Sequence, residues 1–315
     1  SGGHGGWGKG EQPERRAECD VVVVDVDGLT PAEFRRRFLA TERPVLVRNG
    51  SAHRWAQLRS ALSHARLVKA HGSRNISVSE VPYHDGTTPT ETSLGAFAKR
   101  VKGGTATLLD GGEERALYYF ESLPAGALRD AVSAHVPPFL ARNIDAGWLS
   151  EASVQLAIGG ARSGAPLHYH KAALNTLVYG RKAWWLAPPR DAAYSSTPAA
   201  RWAEGGATRY ASAGRTLLRC EQRAGDVLYL PDFWGHAVLN LQPSVGVATE
   251  FASPRMQFDI SSSSTVMTEY TLNIYPYWCQ IARAYVCVYS AIGPTESERA
   301  GAVLSTDTTH GFTEK

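Results

Sequence analysis

The 315-residue sequence has little charge and few cysteines. Lys and Arg exceed Asp and Glu by only three, and no basic run is interleaved with aromatics. That balance excludes a nucleic-acid interface built on phosphate contacts. The one tight basic cluster, Arg35, Arg36 and Arg37, suits the solvated face of a helix. The four cysteines, Cys19, Cys220, Cys279 and Cys287, form no C-x-x-C pair and no Cys/His zinc spacing. This excludes zinc-ribbon and thioredoxin-type chemistry and leaves the redox compartment and the disulfide pairing open. A long apolar run is also missing until residues 274–292, where Pro276, Gln280 and Arg283 interrupt it. A membrane span needs about 20 apolar residues, so a packed helix suits this stretch better than a span.

What the chain does have is a dense middle. Residues 153–251 offer eight short β-prone runs, at 153–158, 166–170, 174–179, 182–187, 216–221, 226–230, 236–241 and 245–251, with turn residues between them. Regularly spaced short strands predict a sandwich or barrel. The interval 190–215 breaks the rhythm and reads as a long insert at the barrel mouth.

Around this core, residues 1–20 are Gly-rich and then charged, which suggests a loosely attached tail with a processed or trimmed start. Residues 21–150 mix helices and strands that support the barrel. Val21–Val24 reads as a buried strand. Thr30-Pro-Ala-Glu33 has the form of a helix start with a capping box, with Phe34 and Phe38 on one face. A soft boundary falls near residue 150, and residues 151–255 form the barrel core. Residues 256–315 are a C-terminal extension, in which 271–292 suit a helical homodimer contact. Asn49 and Asn75 stand in N-glycosylation triplets.

The chemistry concentrates in two segments, PLHYHKAALNTLVYGRKAWWLAPP and GDVLYLPDFWGHAVLNL. His168 and His170 are two apart, so on a strand they share a face. His236 adds a third imidazole from a distant strand, and three converging imidazoles can grip one metal ion. An O2-activating Fe(II) centre commonly uses two histidines and one carboxylate on one face. Here His170 stands where the carboxylate belongs, which makes the site one charge more positive. Asp232 and Glu250 are the nearby acids. Lys182, on the next strand, can pair its ammonium with the far carboxylate of a chelating keto acid. Asn175 faces either that pocket or a strand-edge hydrogen bond. Of the neighbouring tryptophans Trp184 and Trp185, one must fill a core, because adjacent strand residues face opposite ways.

These segments resemble the JmjC-domain 2-oxoglutarate oxygenases of the cupin superfamily, and within them a secretory-pathway subgroup sharing the His-x-His variant. The resemblance covers residues 20–252. It implies a mainly β fold with flanking helices, a double-stranded β-helix or jelly roll. It implies His168, His170 and His236 as metal ligands and Lys182 as the 2-oxoglutarate-binding lysine, assisted by a tyrosine at 118 or 119, Tyr119 by preference. It further implies an Fe(II)- and 2-oxoglutarate-dependent hydroxylase acting on a protein or peptide in the secretory pathway or endoplasmic reticulum lumen. The altered triad keeps other outcomes open: zinc or nickel in place of iron, or a catalytically inactive scaffold with a structural metal or none.

Overall fold

The computed structural model describes residues 5–8, 19–50, 55–82, 88–110, 113–133 and 153–251. Among the described residues, fifteen strands run in chain order. The N-terminal half supplies β1 (Val22–Asp25), β2 (Val45–Arg48), β3 (Asn75–Val78), β4 (Thr90–Ser93), β5 (Thr107–Asp110), β6 (Glu113–Ala116) and β7 (Tyr118–Ser122). The C-terminal half supplies β8 (Ser153–Gly159), β9 (Gly164–His168), β10 (Ala173–Tyr179), β11 (Arg181–Ala187), β12 (Leu218–Arg223), β13 (Val227–Leu230), β14 (Gly235–Asn240) and β15 (Ser244–Glu250).

The last eight strands form two antiparallel layers, β13-β10-β15-β8 and β12-β11-β14-β9. This is a jelly-roll barrel of the cupin type, and all eight runs expected between 153 and 251 are strands. The larger layer is extended by β2 and β1 at one edge and by β7 at the other, giving seven strands. The N-terminal region therefore does more than support the barrel. Strands from both sides of residue 150 share one sheet, and the described residues all fall in one compact unit.

Alternation assigns the faces. Val154, Leu156, Ile158, Val245 and Val247 point outward into a core with the N-terminal helices. Those helices are α2 (Trp55–Ala61), α3 (His64–His71), α4 (Leu94–Gly103) and α5 (Ala127–Ser133), after α1, residues 31–39. Helix α1 opens on the expected capping box between Thr30 and Glu33 and buries Phe34 and Phe38 against the sheet. Leu46, Ala165, Trp184, Leu186, Leu228, Leu230 and Val238 fill the barrel interior.

Several expectations are corrected. The β1 strand is an edge, not a buried strand, and leaves Val22 and Val23 exposed. The Gly-rich start is not loose throughout, because residues 5–8 are docked. Trp7 is 1% exposed. Its Nε1 donates to the Leu62 carbonyl (2.9 Å), while His64 N–H donates to the Gly5 carbonyl (2.9 Å). The insert holds a helix, α6, residues 199–212, with a π-helical middle. It lies on the outer face of the small sheet, where Trp202 meets Trp185 edge to face (5.7 Å) and Ala207 joins Leu167 and Ala183. An apolar outer sheet face requires such a cover.

Cys19 and Cys220 form a disulfide that ties the chain before β1 to β12. No helix of the described residues is long and apolar enough to cross a membrane. The 256–315 extension, including the 271–292 dimer contact, lies outside the described residues.

Candidate metal centre

His168 closes β9, and His236, the second residue of β14, lies directly opposite it. The register between these strands slips. His236 pairs with His168 and Val238 with Ala165, so the single residue between the pairs on β14 faces two on β9. The extra residue is a β-bulge at Pro166-Leu167, a position where proline's missing N–H does no harm. Without the bulge, Ala165 and His168 would lie on opposite faces. With it both point into the barrel.

His170 lies just past the strand end rather than on it. It is fixed by stitching between two loops. Phe233 N–H donates to the His170 carbonyl (2.8 Å), and the Asp232 carboxylate accepts the Ala172 N–H (3.0 Å). Phe233 holds φ at +60°, an uncommon conformation for a bulky residue, in the turn that delivers His236. Trp234 Nε1 anchors the same turn on the Glu42 carbonyl (3.1 Å).

The three imidazoles converge. Ring centroids are 4.2 Å apart for His168–His236, 4.6 Å for His170–His236 and 5.5 Å for His168–His170. One nitrogen of each lies within 4.8 Å of the others, the arrangement of a site that can hold one metal ion. Each Nδ1 faces a backbone carbonyl: Pro166 for His168 (2.7 Å), Lys171 for His170 (2.7 Å) and Trp234 for His236 (2.9 Å). A carbonyl only accepts, so each Nδ1 is the donor and each Nε2 is the nitrogen that can ligate a metal. Burial, with His170 adding to it, holds the His168 pKa down to about 3, and burial and the other two rings hold His236 well below its usual range. Both are neutral at physiological pH, the form that ligates metals. The cluster consists of histidines alone, so neither Asp232 nor Glu250 replaces the missing carboxylate.

Lys182 lies deeper in the same barrel, on the inward face of β11, and is 1% exposed. Its Nζ donates to the Tyr118 hydroxyl (3.2 Å) and lies 5.7 Å from that ring and 6.0 Å from the Trp184 ring. Among the described residues it pairs with no carboxylate, and burial pulls its pKa down to about 7. Asn175 also points inward, and its Oδ1 is buried without a hydrogen-bond partner among the described residues. A Cβ added to Gly246 would stand 3.4 Å from the Lys182 Nζ and 3.7 Å from the Asn175 Oδ1, so these polar groups share one glycine-floored spot.

Tyr119 is not at this spot. It points to the outer face, into the core with the N-terminal helices, and its hydroxyl donates to Glu121 (3.0 Å). Tyr118, one residue earlier, is the tyrosine that meets Lys182. Arg181 points away as expected and pairs with Glu221 on the neighbouring strand (2.8 Å).

A double-stranded β-helix with convergent histidines at one end defines a cupin-type metal-site protein. Residues 31–252 match the family described as Cupin-like domain. The chain belongs to this cupin-like, JmjC-domain family. Its relatives include JmjC domain-containing protein 8 of Homo sapiens, 28% identical over 253 residues that span 78% of this chain and 90% of the relative. An arginine-specific demethylase of Arabidopsis thaliana is 24% identical over 73% of this chain and 46% of its own length. A bifunctional arginine demethylase and lysyl-hydroxylase of Caenorhabditis elegans is 23% identical over 74% of this chain and 61% of its own length.

Proposed function

We propose that the chain is an Fe(II)- and 2-oxoglutarate-dependent oxygenase, a hydroxylase of protein or peptide side chains. The observation that carries this is a fully buried lysine, without a carboxylate partner among the described residues, in the same barrel as three convergent imidazoles. An ammonium taken out of water needs an anion to offset its desolvation. A diacid that chelates the metal with one end would supply that anion with the other. His168, His170 and His236 would hold the metal through Nε2. Lys182, Tyr118 and Asn175 would hold the far carboxylate. Iron with 2-oxoglutarate would supply O2 activation and oxidation of a substrate C–H bond.

The residues fit both groups. The three imidazoles are oriented by their carbonyl partners, and the Tyr118 hydroxyl, its proton held by burial, can accept from Lys182 and still donate. Three neutral ligands leave the full metal charge to be met by the diacid, which weakens selection for iron and admits zinc or nickel. The names of the plant and nematode relatives support oxidation at an arginine or lysine side chain. The Cys19–Cys220 disulfide supports a place in the secretory pathway, in the endoplasmic reticulum lumen.

The all-histidine cluster favours one second reading, a JmjC-like scaffold with a structural metal or none. One experiment separates the two: elemental analysis and anaerobic calorimetry with 2-oxoglutarate on the same sample. Metal-dependent binding of 2-oxoglutarate is expected. A protein that binds metal but ignores 2-oxoglutarate is the scaffold.

A further inference from the structure

The inward side chains of β11 and β14 form a ladder of paired rungs: Lys182 with Asn240, Trp184 with Val238, and Leu186 with His236. Successive inward residues on a strand are about 6.6–6.8 Å apart. The lysine rung and the histidine rung are thus separated by one intervening rung, and Trp184 occupies it. Its ring lies 6.2 Å from the His236 ring and 6.0 Å from the Lys182 Nζ.

This indole is anchored through its one polar atom. Its Nε1 donates to Gln222 Oε1 (2.9 Å). Gln222 is 0% exposed, and its Nε2 donates to the carbonyls of Asn175 (2.7 Å) and Asp226 (3.1 Å). The ring also packs with Val238 and with Cys220, itself fixed by the disulfide. A tryptophan whose only polar atom is tied to a buried, doubly anchored glutamine has no freedom to swing aside. On the large sheet the facing position near Lys182 is Gly246, which has no side chain.

We infer that Trp184, locked by Gln222, limits the length of the 2-oxo diacid that the barrel accepts. The inference rests on the reading of Lys182 and the histidines as the two ends of a diacid site. The ends are fixed by the protein, so an acid with one extra methylene must bend sideways to meet both. The volume that the bend needs is taken by the Trp184 ring on one side. On the other, only the bare backbone of Gly246 leaves room.

The test is anaerobic calorimetry on Mn(II)-loaded protein, titrated with 2-oxoglutarate and with the six-carbon 2-oxoadipate. One misfitting methylene is worth roughly 10- to 200-fold, so wild type is expected to prefer 2-oxoglutarate by at least about tenfold. Trp184→Phe is expected to shrink that preference at least about fivefold by gaining 2-oxoadipate, and Gly246→Ala to weaken both acids, the longer more. Equal binding of both acids by wild type overturns the inference. So does an unchanged preference in a Trp184→Phe protein that melts cooperatively. Should that variant not fold, Gly246→Ala decides, and unchanged affinities there overturn the inference. A wild type that binds neither acid overturns the diacid reading itself, a result distinct from the others.

Discussion

At the histidine end of the barrel each ring is held by a carbonyl no more than two residues away, from Pro166, Lys171 or Trp234. At the lysine end the contacts cross the fold. Tyr118 is 64 residues from Lys182, and Asn175 and Gly246 come from two further strands. The two ends also differ in cost. The two buried imidazoles, His168 and His236, are uncharged with one nitrogen already bonded and lose little by burial. A buried ammonium with a hydroxyl, an amide oxygen and two ring faces near it but no carboxylate among the described residues is destabilising until an anion arrives. At one end the rings are therefore oriented by local carbonyls, and that end is stable without an ion. The other is assembled by tertiary packing and is held at a loss.

The largest effect that tests this comparison is at the histidine end. His236→Ala is expected to lower metal affinity by more than the roughly hundredfold that loss of an outer-shell partner costs, with little change in the melt of the metal-free protein. Elemental analysis after dialysis against a chelator reads the first, and a thermal melt reads the second. A variant that keeps its metal would place the ion elsewhere.

Lys182→Met should behave in the opposite sense. It is expected to weaken 2-oxoglutarate binding roughly 30- to 100-fold, the worth of a charge-assisted contact, while raising the stability of the ligand-free protein. The pH dependence follows from the folded pKa of about 7 against 10.5 for the ordinary lysine. Between those values the unfolded chain binds more protons, so stability rises with pH. Below about 7 both states are protonated and the penalty is constant. Wild type should gain stability from about pH 7 to about pH 9, and Lys182→Met should lose that slope. Denaturant melts across this range are sufficient, and equal slopes would show that burial does not lower the Lys182 pKa.

This contrast also explains what could be read from the residues alone. The His-x-His spacing, the late histidine and the eight strand runs are local patterns, and local patterns survive in sequence. The Pro166-Leu167 bulge that turns His168 inward is not, because it exists only as a mismatch of register between β9 and β14. The choice between Tyr118 and Tyr119 had no local signal either. Adjacent strand residues face opposite ways, and which face is inner depends on the pairing of β7 with β8. The docking of Trp7 was hidden for the same reason: a glycine-rich stretch reads as mobile, and only the distant Leu62 carbonyl and the surrounding helices give it a place. The disulfide joins residues 201 positions apart, and no spacing rule reaches that far.

That disulfide offers a smaller test. Cys220 packs beside Trp184, well inside the barrel, so its loss should loosen the lysine half first. Cys19→Ser with Cys220→Ser is expected to cost about 2–4 kcal/mol of stability. Metal content should stay unchanged while 2-oxoglutarate binding weakens. Equal losses of metal and 2-oxoglutarate would mean that the two ends are one mechanical unit.

The smallest effect is also the most discriminating. Tyr118→Phe removes the hydroxyl that accepts from the Lys182 Nζ, and Tyr119→Phe removes one that meets Glu121 and Arg74 on the outer face. The first change should weaken 2-oxoglutarate binding by about 1 kcal/mol, roughly fivefold, because one hydrogen bond is lost and the ring remains. The second should leave the affinity alone and act on folding stability only. Calorimetry with both variants reads the difference directly. If Tyr119→Phe were the damaging change, β7 would have to present its other face to the barrel. Its partner Gly159 would then no longer face Tyr118, although a Cβ there would stand 2.7 Å from the Tyr118 ring. The pair of tyrosines thus tests the register of β7, and with it the packing that assembles the lysine end.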